Sequence, residues 1–324
     1  RSLLLLDDIK GDINMAKKIV IALGGNALGN TVDEQREAVA HTAKVIVDLI
    51  AEGHDLIVTH GNGPQVGMIQ NAMDALAATH HGYGAVPLPT SVAMSQGYIA
   101  IDLQNAIKYE LKKRGMDKKV SSIISQTLVD PADEAFKNPT KPIGSFMTKE
   151  EADKLVAQGV SVVEDSGRGY RKVVASPMPL RICELGTIKT LAEAGHVVIT
   201  CGGGGIPVFD EGGKLVGAEA VIDKDNASSL LAREIGADYL VILTAVEKVA
   251  INFGKENQEW LSDLSIDQAN QYIAEEQFAK GSMLPKVEAA IRFAESGEGR
   301  NALITLLEKA KEGINGETGT VIHK

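Results

Sequence analysis

Short runs of apolar residues alternate along the chain with longer segments in which apolar residues recur at helical spacing. Residues 18–23 and 55–59 are brief, apolar and bounded by glycine, which predicts strands, whereas residues 33–52 follow a helical period. Further strands are predicted at residues 120–124, 196–200, 215–221, 239–243, 302–305 and 319–323, and further helices from Pro64 onward and at residues 91–114, 181–194, 225–235 and 285–295. This alternation predicts an α/β fold with a mainly parallel sheet covered by helices on both faces.

Two segments depart from this rhythm. Between residues 131 and 173, prolines, glycines and charged residues replace the periodic apolar positions, which predicts an inserted or protruding subdomain. At the other departure, residues 1–14, the four-leucine run is too short for a secretory signal and is followed by two aspartates. Met15 is typical of a native start, so we expect residues 1–14 to be a disordered leader foreign to the fold.

The charge balance limits the classes of partner. The 324 residues include 33 Lys or Arg and 43 Asp or Glu, for a net charge of −10, without a long basic run. Nucleic acid and anionic membranes are therefore poor partners, and no apolar run approaches the ~20 residues of a membrane helix. Cys183 and Cys201 have no C-x-x-C spacing, and His80-His81 have no third ligand at zinc-like spacing, so we predict no disulfide and no metal site. The cysteine usage fits the cytosol.

Glycine-rich turns follow three of the predicted strands, at Gly24-Gly25, Gly61-Asn62-Gly63 and Gly202 to Gly205. Glycine lets backbone N–H groups approach an anion, and ligands of open α/β sheets bind beyond the carboxyl ends of strands. Any one of these is most simply a tight turn, but three in one sheet predict a shared anion site. The P-loop pattern, a dinucleotide fingerprint after the first strand and the G-x-S-x-G elbow are absent, which argues against those enzyme classes.

Five motifs occur in a fixed order along the chain. They are Ile21 to Ala27 (IALGGNA), Gly61 to Gly67 (GNGPQVG), Met94 to Gly97 (MSQG), Val221 to Asp225 (VIDKD) and Gly281 to Lys286 (GSMLPK). Together they closely resemble the carbamate kinases, a branch of the amino acid kinase family. The resemblance runs from about residue 17 to 324, and residues 138–142 (NPTKP) also resemble the protruding subdomain of that branch.

The resemblance implies a three-layer open sandwich around a mostly parallel sheet, with a small protruding subdomain at about residues 131–173. Residues 15–213 would form the lobe that binds carbamate or carbamoyl phosphate, and residues 214–324 the nucleotide lobe. The implied reaction is ATP + carbamate ⇌ ADP + carbamoyl phosphate, with Mg²⁺ carried by the nucleotide. The implied setting is a cytoplasmic homodimer that serves ATP synthesis in fermentative arginine breakdown.

The resemblance also implies roles for individual residues. Phosphoryl transfer depends on positioned positive charge, and the implied catalytic residues are Lys141, Lys224, Asp225 and Lys286, with Asp225 orienting the lysines. The implied substrate-binding residues are Gly24, Gly25, Asn26, Gly61, Asn62, Gly63, Ser95, Gln96, Gly202, Gly203 and Gly204. Lys224 and Lys286 would also contact the nucleotide, together with Thr244, Ala245, Val246, Gly281 and Met283.

Some of these residues have simpler interpretations. A single lysine is usually a solvated surface charge, Ser95 and Gln96 could simply be first-turn residues, and Asp223 could merely cap the following helix. Two departures from relatives are visible: Ala22-Leu23 stand just before Gly24, where many amino acid kinases carry a lysine, and Ala245 replaces an aspartate of many relatives. The first favours the carbamate branch. A related kinase for another small acid group, or an inactive nucleotide-binding protein, remain the alternatives.

Overall fold

The computed structural model describes residues 16–25, 28, 31–80, 82, 84–164 and 167–324. The expected leader at residues 1–14 and the predicted site residue Asn26 lie outside the described residues. No helix in the described part of the chain is both long and apolar enough to cross a membrane.

The alternation of strands and helices predicted from the sequence is present, and further elements that the sequence did not predict lie among them. The strands are β1 (Lys18–Leu23), β2 (Asp55–His60), β3 (Val120–Ser122), β4 (Gln126–Val129), β5 (Lys141–Met147), β6 (Val162–Glu164), β7 (Tyr170–Val174), β8 (Pro179–Ile182), β9 (Val197–Ile199), β10 (Ile206–Glu211), β11 (Lys214–Gly217), β12 (Tyr239–Thr244), β13 (Val249–Ile251), β14 (Glu259–Leu261), β15 (Asp263–Ser265), β16 (Asn301–Leu306) and β17 (Thr320–His323). The helices are α1 (Val32–Ala51), α2 (Gly63–Thr79), α3 (Leu88–Lys113), α4 (Lys149–Ala157), α5 (Leu185–Glu193), α6 (Lys224–Glu234), α7 (Ile266–Ala274), α8 (Met283–Glu295) and α9 (Ala310–Ile314).

The central sheet has eight strands in the order β15-β17-β16-β12-β1-β2-β9-β3. Its neighbouring strands are parallel except for β16 and β17, which are antiparallel. A second sheet has the order β11-β10-β4-β8, and β13 pairs with β14 in a separate antiparallel ribbon. The mostly parallel central sheet confirms the predicted fold class.

The two faces of the central sheet are buried against different helices. In β1, Ile19 and Ile21 join the apolar cluster that includes residues of α1 and α3, whereas Val20 and Ala22 join the cluster that includes residues of α6 and α8. Because both faces are covered, β1 is apolar at every position from Ile19 to Leu23, as is typical of a central parallel strand. The helix–sheet–helix layering agrees with the three-layer prediction.

One predicted helix is wrong at its beginning. The sequence predicted a helix at residues 181–194, but residues 179–182 form β8 and α5 begins only at Leu185. In β8, Ile182 is buried and lies opposite Thr127 of β4, so pairing with a distant strand overrides the local period. The strands predicted at residues 120–124 and 215–221 end earlier, at Ser122 and Gly217. The helix predicted from residue 91 begins at Leu88, with a proline in its first turn.

Regular structure also occurs where the sequence pattern was weak. Strands β5, β7 and β6 form a three-stranded antiparallel sheet, separate from the central sheet, and α4 accompanies it. α4 begins with a capping box, in which the Thr148 hydroxyl accepts from the backbone N–H of Glu151 and the Glu151 carboxylate accepts from the backbone N–H of Thr148. This inserted sheet, β5 to β7, lies between residues 141 and 174.

Candidate active site

Three glycine-rich turns meet at one edge of the central sheet. β1 and β9 are the parallel neighbours of β2 on its two sides, so the turns after Leu23, His60 and Ile199 emerge together at the carboxyl ends of the strands. The backbone N–H of Gly61 donates to the carbonyl of Leu23 (3.2 Å), which joins the first two turns directly. The three turns read separately from the sequence are therefore one structural feature.

Close packing explains two of these glycines. A Cβ atom on Gly24 would lie 2.8 Å from the Leu243 carbonyl oxygen of the neighbouring strand β12. Gly203 has a φ of +63°, and a Cβ atom there would lie 2.1 Å from the side-chain nitrogen of Asn62. A larger residue would push the first turn away from β12 or the third turn away from the second, so this edge needs glycine for its shape as well as for access to backbone N–H groups.

A cleft of about 360 Å³ opens above these turns. It collects many of the residues predicted from the sequence, namely Gly25, Gly61, Asn62, Gly63, Lys141, Gly203, Lys224, Asp225, Gly281 and Lys286. Residues that the sequence did not assign to binding also line it, including Gln65, Ile143, Asp223 and Pro285. The cleft thus brings together glycines that are far apart in the sequence and lysines from three separate elements.

The floor of the cleft carries an aspartate between two lysines. Asp225 is buried in the first turn of α6 and accepts from Lys224 Nζ through Oδ1 (2.5 Å) and from Lys286 Nζ through Oδ2 (2.8 Å). Burial alone would raise the pKa of Asp225, but the two ammonium groups hold it well below its usual range. Burial also lowers the pKa of Lys224, against the opposing charge of Asp225. The ionised carboxylate fixes both ammonium groups at the edge of the cleft.

A second ion pair also lines the cleft. Lys141, the first residue of β5, donates from Nζ to Asp223 Oδ2 (2.6 Å). Both side chains are partly exposed, unlike the buried Asp225. This contact joins the inserted sheet to the beginning of α6.

Ser95 and Gln96 make hydrogen bonds to residues of the second and third glycine turns. The sequence suggested first-turn positions, but both lie in the interior of α3 and are buried. Ser95 Oγ accepts from Asn62 Nδ2 (2.9 Å), and Gln96 Nε2 donates to the carbonyls of Ser125 (3.1 Å) and Gly202 (3.0 Å). Neither residue lines the cleft. Their contacts hold the second and third glycine turns in place.

Gly202 and Gly204, which the resemblance implied as substrate-binding, do not line the cleft. Gly202 lines a separate cavity of about 240 Å³ with His60 and Gln96, and a Cβ atom on Gly204 would lie 2.7 Å from the Ile222 carbonyl oxygen. Burial lowers the pKa of His60 to about 4 and raises the pKa of Cys201 to about 12. Both groups are therefore uncharged at neutral pH, as expected for packed residues.

A smaller cavity and an apolar cavity extend the cleft along the C-terminal half. The smaller one, about 170 Å³, is lined by Gly24, Gly25, Leu243, Thr244, Ala245, Lys286 and Leu307. The apolar one, about 230 Å³, includes the predicted residues Thr244, Ala245, Val246 and Met283 together with Phe253, Trp260 and Phe278. Shared lining residues place the three cavities next to one another, from the lysines to an aromatic pocket.

The aromatic residues of this pocket were missed from the sequence. Phe253 and Trp260 meet edge to face, with ring centroids 6.2 Å apart, and both remain substantially exposed. Trp260 belongs to β14 and lies in a polar stretch of the sequence. The local pattern therefore did not predict that it lines a cavity. The one available sign was its rarity, as the only tryptophan of the chain.

The described residues contain no cluster of three or more His, Cys, Asp or Glu side chains suited to a metal ion. In the cleft, the oxygens of Asp223 and Asp225 already accept hydrogen bonds from lysines or backbone N–H groups. A divalent ion at this site would therefore depend on oxygens supplied by a ligand.

Comparison with known proteins agrees with this geometry. The profile of the amino acid kinase family matches residues 17–305. A carbamate kinase-like protein, YqeA, of Escherichia coli (strain K12) is 62% identical over 308 residues, covering 95% of this chain and 99% of its own length. A carbamate kinase of Staphylococcus haemolyticus is 51% identical over 308 residues, with the same two coverages.

A solved structure is similar over nearly the whole chain. Carbamate kinase from Giardia lamblia bound to AMP-PNP superposes with a TM-score of 0.88 at 41% identity, covering 96% of this chain and 99% of that one. With the family profile matching most of the chain and relatives above half identity over their full length, the chain belongs to the amino acid kinase family, in its carbamate kinase branch, and is an ATP-dependent phosphotransferase.

Proposed function

We propose that this chain is a carbamate kinase that catalyses ATP + carbamate ⇌ ADP + carbamoyl phosphate. The observation that carries the proposal is the convergence of Lys141, Lys224 and Lys286 around one cleft, two of them fixed by Asp225. Relatives that bear the name carbamate kinase and match over nearly their whole length support the choice of substrate.

The arrangement meets the needs of phosphoryl transfer. The transferred group spreads negative charge over its oxygens, so catalysis consists mostly of positioning and electrostatic stabilisation. Lys224 and Lys286 would contact the phosphates of the nucleotide and the transferred phosphoryl group, and Lys141 would approach from the carbamoyl side. Backbone N–H groups at Gly24 and Gly25 would bind phosphoryl oxygens without adding charge.

We assign Asp225 an orienting role. Its two oxygens already accept from two ammonium groups, so it is poorly placed to remove a proton from substrate. Its low pKa keeps it ionised, and an ionised carboxylate here prevents the two lysines from repelling each other out of position. This accounts for how two positive charges persist side by side in a buried site.

The nucleotide would lie along the path from Lys286 to the apolar cavity. Thr244, Ala245 and Val246 would line the ribose and base, and the edges of Phe253 and Trp260 offer an apolar surface for the base. Mg²⁺ would enter as part of the nucleotide substrate, held by its phosphates, because the carboxylates of the cleft are occupied by lysines. On this view residues 15–213 bind the small substrate and residues 214–324 the nucleotide.

We further propose a homodimer in the cytosol. Met94, Ile101 and Tyr109 are exposed on α3 at spacings of seven and eight residues, so they lie on one face of the helix, and Ile124 is exposed just beyond β3. Such an apolar face is typical of a protein–protein contact. Both cysteines are free, which fits a reducing compartment. The physiological role we propose is ATP synthesis in fermentative arginine breakdown.

The test is an ATP-forming assay. The protein is incubated with carbamoyl phosphate, ADP and Mg²⁺, and ATP is measured by a coupled luminescence reaction. We expect ATP above a blank without enzyme, and no ATP when carbamoyl phosphate is omitted. ATP at the blank level would refute the proposal, and ATP formed only from a different acyl phosphate would assign the chain to a related kinase for another small acid.

A further inference from the structure

Asp223 uses its two carboxylate oxygens for two different contacts. Oδ1 accepts from the backbone N–H groups of Asp225 (2.9 Å) and Asn226 (3.4 Å), which caps the N-terminus of α6. Oδ2 accepts from Lys141 Nζ (2.6 Å). The sequence pointed only to the cap. One side chain therefore links the helix that carries Lys224 and Asp225 to the strand that begins the inserted sheet.

The backbone of β5 is positioned by other contacts. Ile143 and Val174 of the inserted sheet join an apolar cluster with Val66 of α2, Val92 of α3 and Val221. These contacts fix where the strand lies. They do not fix the end of the Lys141 side chain, which has four rotatable methylene groups beyond its Cα atom. A partner for the ammonium group is needed to hold it in one place.

Asp223 is electrostatically suited to be that partner. Burial alone would raise its pKa, and so would the nearby charge of Asp225, but Lys141 and Lys224 outweigh both and hold the pKa of Asp223 below its ordinary value. The carboxylate is therefore ionised at neutral pH. An ionised carboxylate 2.6 Å from an ammonium group makes a charge-assisted hydrogen bond, which is stronger than a neutral one.

We infer that Asp223 is a positioning residue that holds the Lys141 ammonium group at the cleft, opposite Lys224 and Lys286, in addition to capping α6. The inference rests on the proposed function, in which Lys141 contacts the small substrate. It assigns to the first aspartate of the Val221 to Asp225 motif a role different from that of the second. Asp225 orients the two lysines of the nucleotide side, and Asp223 orients the lysine of the inserted sheet.

A conservative substitution separates the two roles of Asp223. Asparagine caps helices about as well as aspartate, so Asp223→Asn keeps the cap and removes the charge that holds Lys141. We expect kcat/KM for carbamoyl phosphate to fall about tenfold, with an unchanged thermal unfolding midpoint. Wild-type kinetics in this variant would overturn the inference.

A double-mutant cycle tests whether Asp223 acts through Lys141. Lys141→Met removes the ammonium group and should lower kcat/KM at least as much as Asp223→Asn does. Adding Asp223→Asn to Lys141→Met should then cause no further loss, because the group it positions is already gone. A further tenfold loss in the double variant would mean that Asp223 acts by another route, and the inference would be wrong.

A labelling experiment gives a readout that does not need turnover. An amine held against a carboxylate is shielded from an electrophile, so Lys141 should be acetylated by acetic anhydride several-fold faster in Asp223→Asn than in the wild type, as measured by peptide mass spectrometry. Lys149, which pairs with Asp153 in α4, is the internal reference and should not change. Equal Lys141 rates in the two proteins would contradict the inference.

A matched control uses the reference pair itself. Asp153→Asn should speed acetylation of Lys149 and leave both Lys141 labelling and ATP formation unchanged, since that pair is exposed, lies in α4 and does not line the cleft. The two proposals fail in different ways. A wild-type protein that forms no ATP refutes the proposed function, while the labelling result still decides whether Asp223 holds Lys141.

Discussion

Two lysine–aspartate arrangements border the same cleft and are built differently. Asp225 holds Lys224 and Lys286 on α6 and α8, two helices packed on the same face of the central sheet, and its carboxylate is buried. Asp223 holds Lys141 across the gap between α6 and the inserted sheet, and that pair is partly exposed. The first arrangement is maintained by the core of the protein, whereas the second depends on how a separately built sheet docks.

The difference has a physical consequence. Around Asp225, loss of one partner leaves a buried charge only partly compensated, which typically costs several kcal/mol. Around Asp223, water can replace part of the lost ion-pair interaction, so the loss in folding free energy is smaller. The main effect is then on the position of the remaining side chain rather than on stability. We therefore expect variants of the first arrangement to affect catalysis most and variants of the second to affect it less.

The largest effect should come from Lys286→Ala. Removing a preorganised charge donor typically lowers the rate on the order of 10²–10³-fold, and kcat for ATP formation is the measurement. Lys280→Ala is the matched control, because Lys280 is exposed, pairs with Glu276 and lies just before the motif. An unchanged kcat in Lys286→Ala would mean that this lysine takes no part in the mechanism. The expected difference in catalytic effect between the Asp225 and Asp223 arrangements would then be wrong.

Gly67→Ala tests the docking of the inserted sheet. A Cβ atom on Gly67 of α2 would lie 2.1 Å from the Cα atom and 2.3 Å from the N atom of Gly144 in β5, so the backbones must separate. Lys141 should move with β5, and we expect kcat/KM to fall about tenfold and stability to fall by about 1–3 kcal/mol. Steady-state kinetics and thermal unfolding measure the two effects.

The matched control for this substitution is Gly186→Ala. Gly186 lies in helix α5, and an added Cβ atom would meet no atom within 4 Å. That variant should keep wild-type kinetics and gain up to about 1 kcal/mol from the higher helix propensity of alanine. If Gly67→Ala also behaves like the wild type, close docking of the insert is not needed for activity.

Trp260→Ala tests the apolar cavity proposed for the base, which is lined by none of Lys141, Lys224 and Lys286. Loss of the aromatic surface should raise KM for ADP about three- to tenfold, with little change in kcat, because the contact would be the same in the ground and transition states. Trp260→Phe should recover most of the affinity. A fall in kcat with unchanged KM would instead place Trp260 in the chemistry and contradict its assignment to the base.

The smallest effect concerns alkaline pH. Burial lowers the pKa of Lys224, so this lysine loses its proton at a lower pH than an ordinary lysine and the site loses a positive charge. kcat should fall to about half when the pH reaches the pKa of Lys224, which lies below the ordinary lysine pKa of about 10.4. In Lys224→Arg the guanidinium stays charged, so this decline should disappear. The same alkaline decline in both proteins would exclude Lys224 as its cause.

Local sequence was sufficient for much of the fold. β1, β2 and β12 were predicted to within a residue at each end because strands buried on both faces are short, mostly apolar runs. Strands outside the central sheet were harder to predict. β8 was predicted as the start of a helix, and β5 to β7 were not predicted, because short strands outside the central sheet are specified by partners far away in the chain.

The residues of the candidate site also fall into two groups, those that the sequence indicated and those that only the structure showed. The sequence pointed to the glycine turns, and the family resemblance implied roles for Lys141, Lys224, Asp225 and Lys286. The structure brings these four side chains to one cleft. The sequence did not reveal that Ser95 and Gln96 lie beneath the turns, nor that Phe253 and Trp260 form one wall of a cavity. Those roles depend on distances between segments, which no local pattern encodes.

By itself, the sequence determined that an α/β sheet would carry several glycine turns at the ends of its strands, and that lysines would supply the positive charge. Only the tertiary structure decided which carboxylate holds which lysine. Asp223 and Asp225 are two residues apart and chemically identical, yet the start of the helix directs one toward the insert and the other toward α8. That division follows from packing, because the partners are brought together by sheets and helices distant in the chain.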